Sequence, residues 1–376
     1  MKKIMIVFGT RPEAIKMAPL IKEFQKHKGI FDTRVCVTAQ HRDMLDQVLD
    51  FFGVKPDYDL NLMRPGQNLY QLTADVIVGL KPILEDFIPD VVLVHGDTTT
   101  STAASLAAFY AGAKVGHVEA GLRTHNKLAP FPEEINRQLT SRIADYNFVP
   151  TQTSKQNLLK ENIDEKSIVI TGNTVIDALF CAKEKLKNYE DDEIHALKQI
   201  VDKTKKIILV TGHRRENFGE GFLNICRAIK QIAEKNSSVQ FIYPVHLNPN
   251  VQKPVYELLN NLHNVKLIVP TSYPAFVWLM MQSYLILTDS GGVQEEAPSL
   301  GKPVLVMREV TERPEAVEAG TVKMVGTDIE KIVSNIEALL FEKTLYEKMS
   351  LSHNPYGDGN ACKNIVSFFY YKKSIT

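Results

Sequence analysis

Acidic residues at the ends of β-branched runs are the groups in this chain best placed to do chemistry. Asp97 closes VVLVHG in HGDTTT, Glu119 follows KVGHV in HVEAGLRT, and Glu133 and Glu134 open FPEEINRQL. Each has a plain structural reading. Asp97 can N-cap the following helix. Glu133 and Glu134 sit in a first helical turn, where the dipole favours them. Glu119, at the tip of a buried strand beside Ala120 and Gly121, is costly unless paired or functional. Three such positions arriving at the same edge of one sheet would shift one another's pKa values and supply bases.

A second set of residues suits phosphate. The first apolar run enters Gly9-Thr10-Arg11-Pro12-Glu13, a turn into a helix whose start offers N–H groups to an anion, with Arg11 and Lys16 beside it. The alternative is an ordinary strand–turn–helix with a surface Arg. His213-Arg214-Arg215-Glu216-Asn217 can receive phosphate or be a solvated charge run. The strongest block is LILTDSGGVQEEAPSLGKPVLV, where Ser290, Gly291 and Gly292 fall between a strand and a helix and can cradle a phosphate. Glu295 and Glu296 are acceptors suited to ribose hydroxyls, and Arg313 can neutralise the phosphate charge. G-x-G-x-x-G and G-x-S-x-G are absent, which disfavours a dinucleotide cofactor and a serine hydrolase. No His/Cys/Asp set has metal-ligand spacing, so neither cofactor nor metal is expected.

These residues need strands and helices to hold them. Short β-branched runs alternate with helical-period segments, the pattern of parallel βαβ units. The runs 4–9, 33–38, 91–96, 114–119 and 146–150 form a first series that ends near 168–174. Runs at 206–212, 239–245, 265–270, 284–289, 303–307 and 321–326 form a second. The Ala-rich stretch 98–112 reads as a helix with Gly112 at C′, and Leu223, Cys226, Ile229 and Ile232 mark one face of a helix over 221–235. The charged segment 183–206 reads as surface helix and connector, which puts a domain boundary around 172–205. The fold class is therefore α/β, with two Rossmann-like doubly wound parallel-sheet domains facing a cleft.

Composition narrows the class further. The 376 residues are 44% hydrophobic and 23% charged, which suits a folded chain of two domains. Forty-four Lys+Arg balance 44 Asp+Glu, so the basic excess that nucleic-acid binding needs is missing. No apolar run approaches a membrane span, and MKKIMIVFGTRPE reads as a strand and its turn, not a signal peptide. Cys36, Cys181, Cys226 and Cys362 are scattered, as expected of core thiols in a reducing, cytoplasmic setting.

Taken together, FGTRPEAIKMAPL, VTAQHRDMLDQ, VHGDTTT, GHVEAGLRT, PEEINRQ, ITGNTVID, GHRREN, YPVHLNPNV, LTDSGGVQEEAPSLGKPVLVMR, TERPEAVEAGT and NPYGDG resemble the non-hydrolysing bacterial UDP-N-acetylglucosamine 2-epimerases. The similarity spans almost the whole chain and is weakest over 180–205. It implies a GT-B-like fold: an N-terminal domain, 1–172, completed by a C-terminal helix over 360–376, and a UDP-binding domain over 173–359. It also implies a homodimer that interconverts UDP-GlcNAc and UDP-ManNAc, supplying ManNAc units for envelope polysaccharide. Catalysis then falls to Asp97, Glu119, Glu133 and His213. Arg11 and Lys16 would hold the nucleotide-sugar, and Phe276, Ser290, Gly291, Gly292, Glu296 and Arg313 the UDP. Some relatives bind a second UDP-GlcNAc as activator, for which Gln40, Gln67, Glu134, Arg214 and His246 would serve. Asp43, Gly66 and Thr271 stand where relatives carry Gln, Arg and Gln.

The C2 hydrogen of GlcNAc has no neighbouring carbonyl, so its direct removal leaves an unstabilised carbanion. Expelling UDP from C1 as C2–H is lost gives a glycal instead, through an oxocarbenium-like transition state that carboxylates stabilise. Two bases are needed because the proton leaves one face and returns on the other. Asp97 and Glu133 are assigned to proton transfer, Glu119 to the positive charge, and His213 with Arg11 and Arg313 to the departing UDP. A GT-B glycosyltransferase, a hydrolysing epimerase and a nucleotide-sugar sensor are the alternatives.

Overall fold

The β-branched runs close into two all-parallel sheets. The structure, a computed structural model, describes residues 1–39, 42–62, 64 and 66–372, with residue 43 described through its backbone alone. The first sheet contains β1 (Lys2–Phe8), β2 (Phe31–Val37), β3 (Tyr58–Asp59), β4 (Val91–His95), β5 (Lys114–Val118), β6 (Tyr146–Val149) and β7 (Ile168–Ile170). Its strand order is β3-β2-β1-β4-β5-β6-β7. The second sheet contains β8 (Lys206–Thr211), β9 (Val239–Pro244), β10 (Val265–Ile268), β11 (Leu285–Thr288), β12 (Val304–Val306) and β13 (Val322–Met324), in the order β10-β9-β8-β11-β12-β13. Both orders are doubly wound. Each reverses direction beside its first strand, between β1 and β4 and between β8 and β11, and ligands of such sheets bind outside the strand ends at that reversal. The two-residue β3 carries no apolar run of its own, which is why the sequence pattern does not signal it.

The chain divides into two units, Met1–Cys181 together with the chain from Tyr356 onward, and Ala182–Pro355. In the first, β1 is buried on both faces, as a central parallel strand must be. Ile4, Ile6 and Phe8 pack under the helix Arg11–Gln25, while Met5 and Val7 face the helices Leu69–Phe87 and Thr99–Tyr110. The Ala-rich composition of the last helix leaves only small side chains to bury, Ala103, Ala104, Ala107 and Ala108 together with Thr100, Ser101 and Ser105. It ends as expected, with Gly112 at φ +76° just past the cap residue Ala111.

The terminal helix Ala361–Tyr371 belongs to this same unit. Asp177 receives its first N–H groups, from Ala361 at 3.2 Å and Cys362 at 3.0 Å. Ile365, Val366 and Phe369 are buried in the β1 core, and Phe369 lies edge-on to Phe148. Each such side chain contributes about 1.5–3 kcal/mol of transfer free energy, enough to dock an 11-residue helix that would not hold alone.

In the second unit the helix Glu220–Lys235 buries Phe222, Ile225, Cys226, Ile229, Ile232 and Ala233. Leu223, expected on that stripe, is half-buried at its margin, because the stripe centres on 222, 225, 229 and 232. The connector carries the helix Asp192–Ile200, and the helix before it, Thr174–Lys185, runs from the first unit into the second. Cys36, Cys226 and Cys362 are buried free thiols, whereas Cys181, expected in the core, is exposed. Among the described residues no helix is long and apolar enough to cross a membrane.

Candidate functional site

In the first unit the turn after β1 is built around Glu13. Gly9 permits the crossing: a Cβ there would meet Thr38 Oγ1 at 2.1 Å and Thr100 Oγ1 at 2.7 Å. The N–H groups of Gly9 and Thr10, expected to be open to an anion, both donate to Glu13 Oε2, at 3.1 and 2.8 Å. A glutamate three residues past the cap reaches back in this way because first-turn amides lack helical partners. Its other oxygen receives Thr98 Oγ1 at 2.8 Å and Ser101 Oγ at 3.0 Å, joining the β1 and β4 loops. Burial raises the Glu13 pKa, against those hydrogen bonds. Arg11 remains half-buried at the first helical position.

Asp97 is not the cap of the next helix. Thr98 is, accepting Ser101 N–H at 3.0 Å, and this leaves the Asp97 side chain available to bond Arg137. Asn136 Nδ2 also donates to the Asp97 carbonyl at 3.0 Å. The helix Glu133–Ile143 is thereby fixed against the end of β4, with Glu133 in its first turn. Glu133 Oε2 is buried and has no hydrogen-bond partner among the described residues, an arrangement that costs free energy in the absence of a ligand.

Glu134 points elsewhere. It is fully buried and accepts Thr124 N–H at 3.0 Å, His125 N–H at 3.1 Å, Gln138 Nε2 at 3.0 Å and Arg137 Nη1 at 3.3 Å. Burial pushes its pKa up, but these bonds and the Arg137 charge outweigh it and hold the carboxyl below its ordinary value. As a candidate activator ligand it is thus internal, a brace for the 124–125 loop.

Glu119 stands at the end of β5 with φ +61°, a left-handed backbone that costs a non-glycine residue energy and that clusters at functional sites. Lys16 donates to its Oε2, as does Asn173 Nδ2 at 2.8 Å. His95 Nε2 lies 3.7 Å from the same oxygen, and burial lowers the His95 pKa to about 4. His117 is deeper: Nε2 is 2.6 Å from the Gly96 carbonyl, Nδ1 is 3.2 Å from Ser141 Oγ, and burial takes its pKa to about 3. At neutral pH both imidazoles are uncharged, so Lys16 and Arg137 are the cations set against these carboxylates.

In the second unit, His213 and Arg214 follow β8 and donate their backbone N–H groups to Asp289 Oδ2, each at 2.9 Å. The His213 ring stacks on His246, with centroids 5.2 Å apart and planes at 15°. Ser290 precedes the helix Gly291–Ser299 and makes no side-chain cap bond, so its hydroxyl is not spent on its own helix. The Arg313 guanidinium lies over that helix start, where a Cβ on Gly291 would come within 2.8 Å of it. Glu295 and Glu312 hold Arg313, at 2.8 and 3.1 Å, and Arg308 bridges Glu312 to Glu216. Glu295 is fully buried under this ion pair, which removes it from the ribose-binding pair suggested by sequence. Glu296 accepts from Tyr273 Oη at 3.2 Å and keeps Oε2 near Gly292. Phe276 is half-buried on the helix Tyr273–Gln282.

Of the candidate activator residues, Gln67 donates to Asp75 at 3.3 Å in the first unit, while Arg214 and His246 belong to the second. Gln40 lies outside the described residues. Sequence reading gave no role to Arg137, His95, Asn173 and Asp289. His95 and Asp289 carried a signal, the one as the last residue of a buried strand and the other as a carboxylate directly after one. Among the described residues no cluster of three or more His, Cys, Asp or Glu can hold a metal ion.

Two doubly wound parallel sheets, one ending in a Ser-Gly-Gly turn under an arginine and the other in braced carboxylates, place the chain among GT-B-like α/β proteins. Comparison makes this specific. The family model described as UDP-N-acetylglucosamine 2-epimerase matches residues 22–369. The Salmonella typhimurium UDP-N-acetylglucosamine 2-epimerase is 58% identical over 366 residues, covering 97% of each chain. The crystal structure of the Neisseria meningitidis UDP-GlcNAc 2-epimerase bound to UDP-GlcNAc superposes with a TM-score of 0.90 at 55% identity, over 98% of this chain and 99% of that one. The Methanocaldococcus jannaschii enzyme in complex with UDP-GlcNAc and UDP gives 0.80 at 34% identity, over 98% and 99%. The chain belongs to the UDP-N-acetylglucosamine 2-epimerase family, whose enzymes are isomerases.

Proposed function

We propose that this protein reversibly converts UDP-GlcNAc into UDP-ManNAc without hydrolysis, by eliminating UDP to a 2-acetamidoglucal and adding it back. The observation that carries the reading is the set of carboxylates at one edge of the first sheet. Asp97 is held by Arg137, Glu119 by Lys16 and Asn173, and Glu133 offers a buried oxygen without a partner among the described residues. The different surroundings of these carboxylates suit different roles. Asp97 and Glu133 transfer the C2 proton on opposite faces of the sugar. Glu119 balances the positive charge that develops at C1 as the bond to UDP lengthens.

The second unit supplies the leaving-group side. Ser290, Gly291 and Gly292 receive the diphosphate at a helix start, Arg313 adds charge, and Glu296 takes ribose hydroxyls. His213, with Arg11, stabilises the departing UDP. Residence in the cytoplasm, a homodimer and the supply of ManNAc units to an envelope polysaccharide complete this reading and rest on family resemblance.

The test is NMR of UDP-GlcNAc with the pure protein in D₂O. UDP-ManNAc should appear, with deuterium at C2 of both sugars and no stoichiometric free ManNAc. Epimerisation with the C2 hydrogen retained would overturn the base chemistry. Free ManNAc with UDP would make it a hydrolysing enzyme, and binding without turnover would favour a transferase or sensor.

A further inference from the structure

Asp289 is a fully buried carboxylate whose two oxygens are treated differently. Oδ2 accepts the backbone N–H groups of His213 and Arg214 and is 3.4 Å from Asn217 Nδ2. Oδ1 is buried and has no hydrogen-bond partner among the described residues. It faces His213 Nδ1 at 3.6 Å. A buried charged oxygen without a donor is expensive, and the imidazole is the group that can supply one. We propose that Asp289 is the positioning residue for His213. Its Oδ1 draws the proton to Nδ1, fixes the ring on its stack with His246, and turns Nε2 outward as the atom that meets the substrate diphosphate.

The arrangement follows from strand topology. Asp289 immediately follows β11 and His213 lies two residues past β8, adjacent strands at the reversal of the second sheet. The Asp289 N–H continues the sheet to Thr211 O at 3.1 Å, so the carboxylate's place is set by backbone pairing. Asn217 donates to the Met307 carbonyl at 2.9 Å and anchors the far side of the loop. The groups facing His213 are Asp289, His246 and Arg214. Burial lowers the His213 pKa first, Asp289 opposes that, and His246 and Arg214 add to the lowering. Asp289 is the only one of the three that favours a charged ring. In the charged ring Nε2 carries a proton as well, placed where negative charge grows as UDP departs, and a fixed Nδ1–H keeps that site aimed.

The inference rests on the epimerase reading for the role of His213, but its first test does not require turnover. In ¹⁵N-histidine NMR of the wild-type protein, neutral His213 should carry its proton on Nδ1. Asp289→Asn, which places an amide where Oδ1 stood, should lower the His213 pKa and shift the tautomer toward Nε2–H. In turnover assays kcat should fall about tenfold to a hundredfold, with the pH–rate limb due to His213 moved to lower pH and UDP affinity changed far less. In a His213→Gln background the same substitution should cost less than about twofold. An Nε2–H tautomer in the wild type would overturn the proposal, as would an equal cost of Asp289→Asn in both backgrounds. Should Asp289→Asn fail to fold, the wild-type tautomer decides by itself. If the protein has no epimerase activity while the Nδ1–H tautomer is found, the pairing stands and only the function assigned to it falls.

Discussion

Arg137 donates through Nη2 to Asp97 and through Nη1 to Glu134, so one guanidinium ties the carboxylate after β4 to a fully buried one in its own helix. The planar fork of arginine suits two acceptors at once, and lysine offers a single point charge. Removing the fork takes the countercharge from a buried Glu134 that keeps its Thr124, His125 and Gln138 donors, a change that costs less than the roughly 3–5 kcal/mol of a fully broken buried pair.

Arg137→Met is therefore expected to lower the melting temperature markedly and to cut kcat about a hundredfold, through loss of the Asp97 geometry. Arg137→Lys should recover much of the stability and little of the rate. Thermal denaturation beside steady-state kinetics separates the two effects. If Arg137→Lys restored both fully, positioning by the fork would not matter.

Glu119 makes a related case at the end of β5. Lys16 and Asn173 converge on one of its oxygens, and its left-handed backbone is kept in place by its surroundings. Lys16→Met should reduce kcat about 10²- to 10³-fold while leaving UDP binding intact, and Asn173→Ala should have a smaller effect in the same direction. Isothermal titration with UDP, run beside the kinetics, checks this. A loss of UDP affinity as large as the loss of rate would place Lys16 with the nucleotide instead.

Glu312 gives a pH dependence. Burial would push its carboxyl up, but the Arg308 hydrogen bond and the charges of Arg313, Arg308 and Arg214 bring it from 4.5 down to about 2. A carboxylate whose folded pKa is depressed contributes stability in full above its unfolded value and loses it as pH falls through the folded one. Glu312→Gln should be less resistant to urea than the wild type at pH 7. The difference should narrow as pH drops below about 4.5 and toward 2. A difference constant from pH 7 to pH 3 would show that the ion pairs with Arg308 and Arg313 do not stabilise the fold.

How much of this was legible in sequence follows from the range over which each feature is decided. The strands around Asp97 and Glu119 show in local β-branched runs, because a parallel sheet buried on both faces demands them. So does the Ser290 turn. The partners do not show, because Arg137 lies 40 residues beyond Asp97, and Asn173 lies 54 beyond Glu119. Two local rules also misassigned groups. Asp97 looked like a cap until Thr98 proved to be one, and the Gly9 and Thr10 amides looked open although Glu13 closes a capping box on them. In the first case two polar residues competed for the same amide, and in the second a carboxylate of the same helix took amides that an anion would have used.

Gly291 makes the closest test of the nucleotide side. Its missing side chain is the space in which Arg313 lies, since a Cβ would stand 2.8 Å from both Cζ and Nη1 of the guanidinium. The obstacle is the mobile end of a side chain, so Gly291→Ala should fold normally, with the guanidinium turned off the helix start about the Nε that bonds Glu295. Ser290 and the helix amides would remain, but the charge set over them would not. We expect UDP affinity to weaken about tenfold, or about 1.4 kcal/mol, with the melting temperature close to that of the wild type. Arg313→Met should give a similar loss, and the two changes combined should give little more than either alone, because both act on one contact. Additive losses in that cycle, measured by isothermal titration with UDP, would show that Gly291 and Arg313 serve the nucleotide independently.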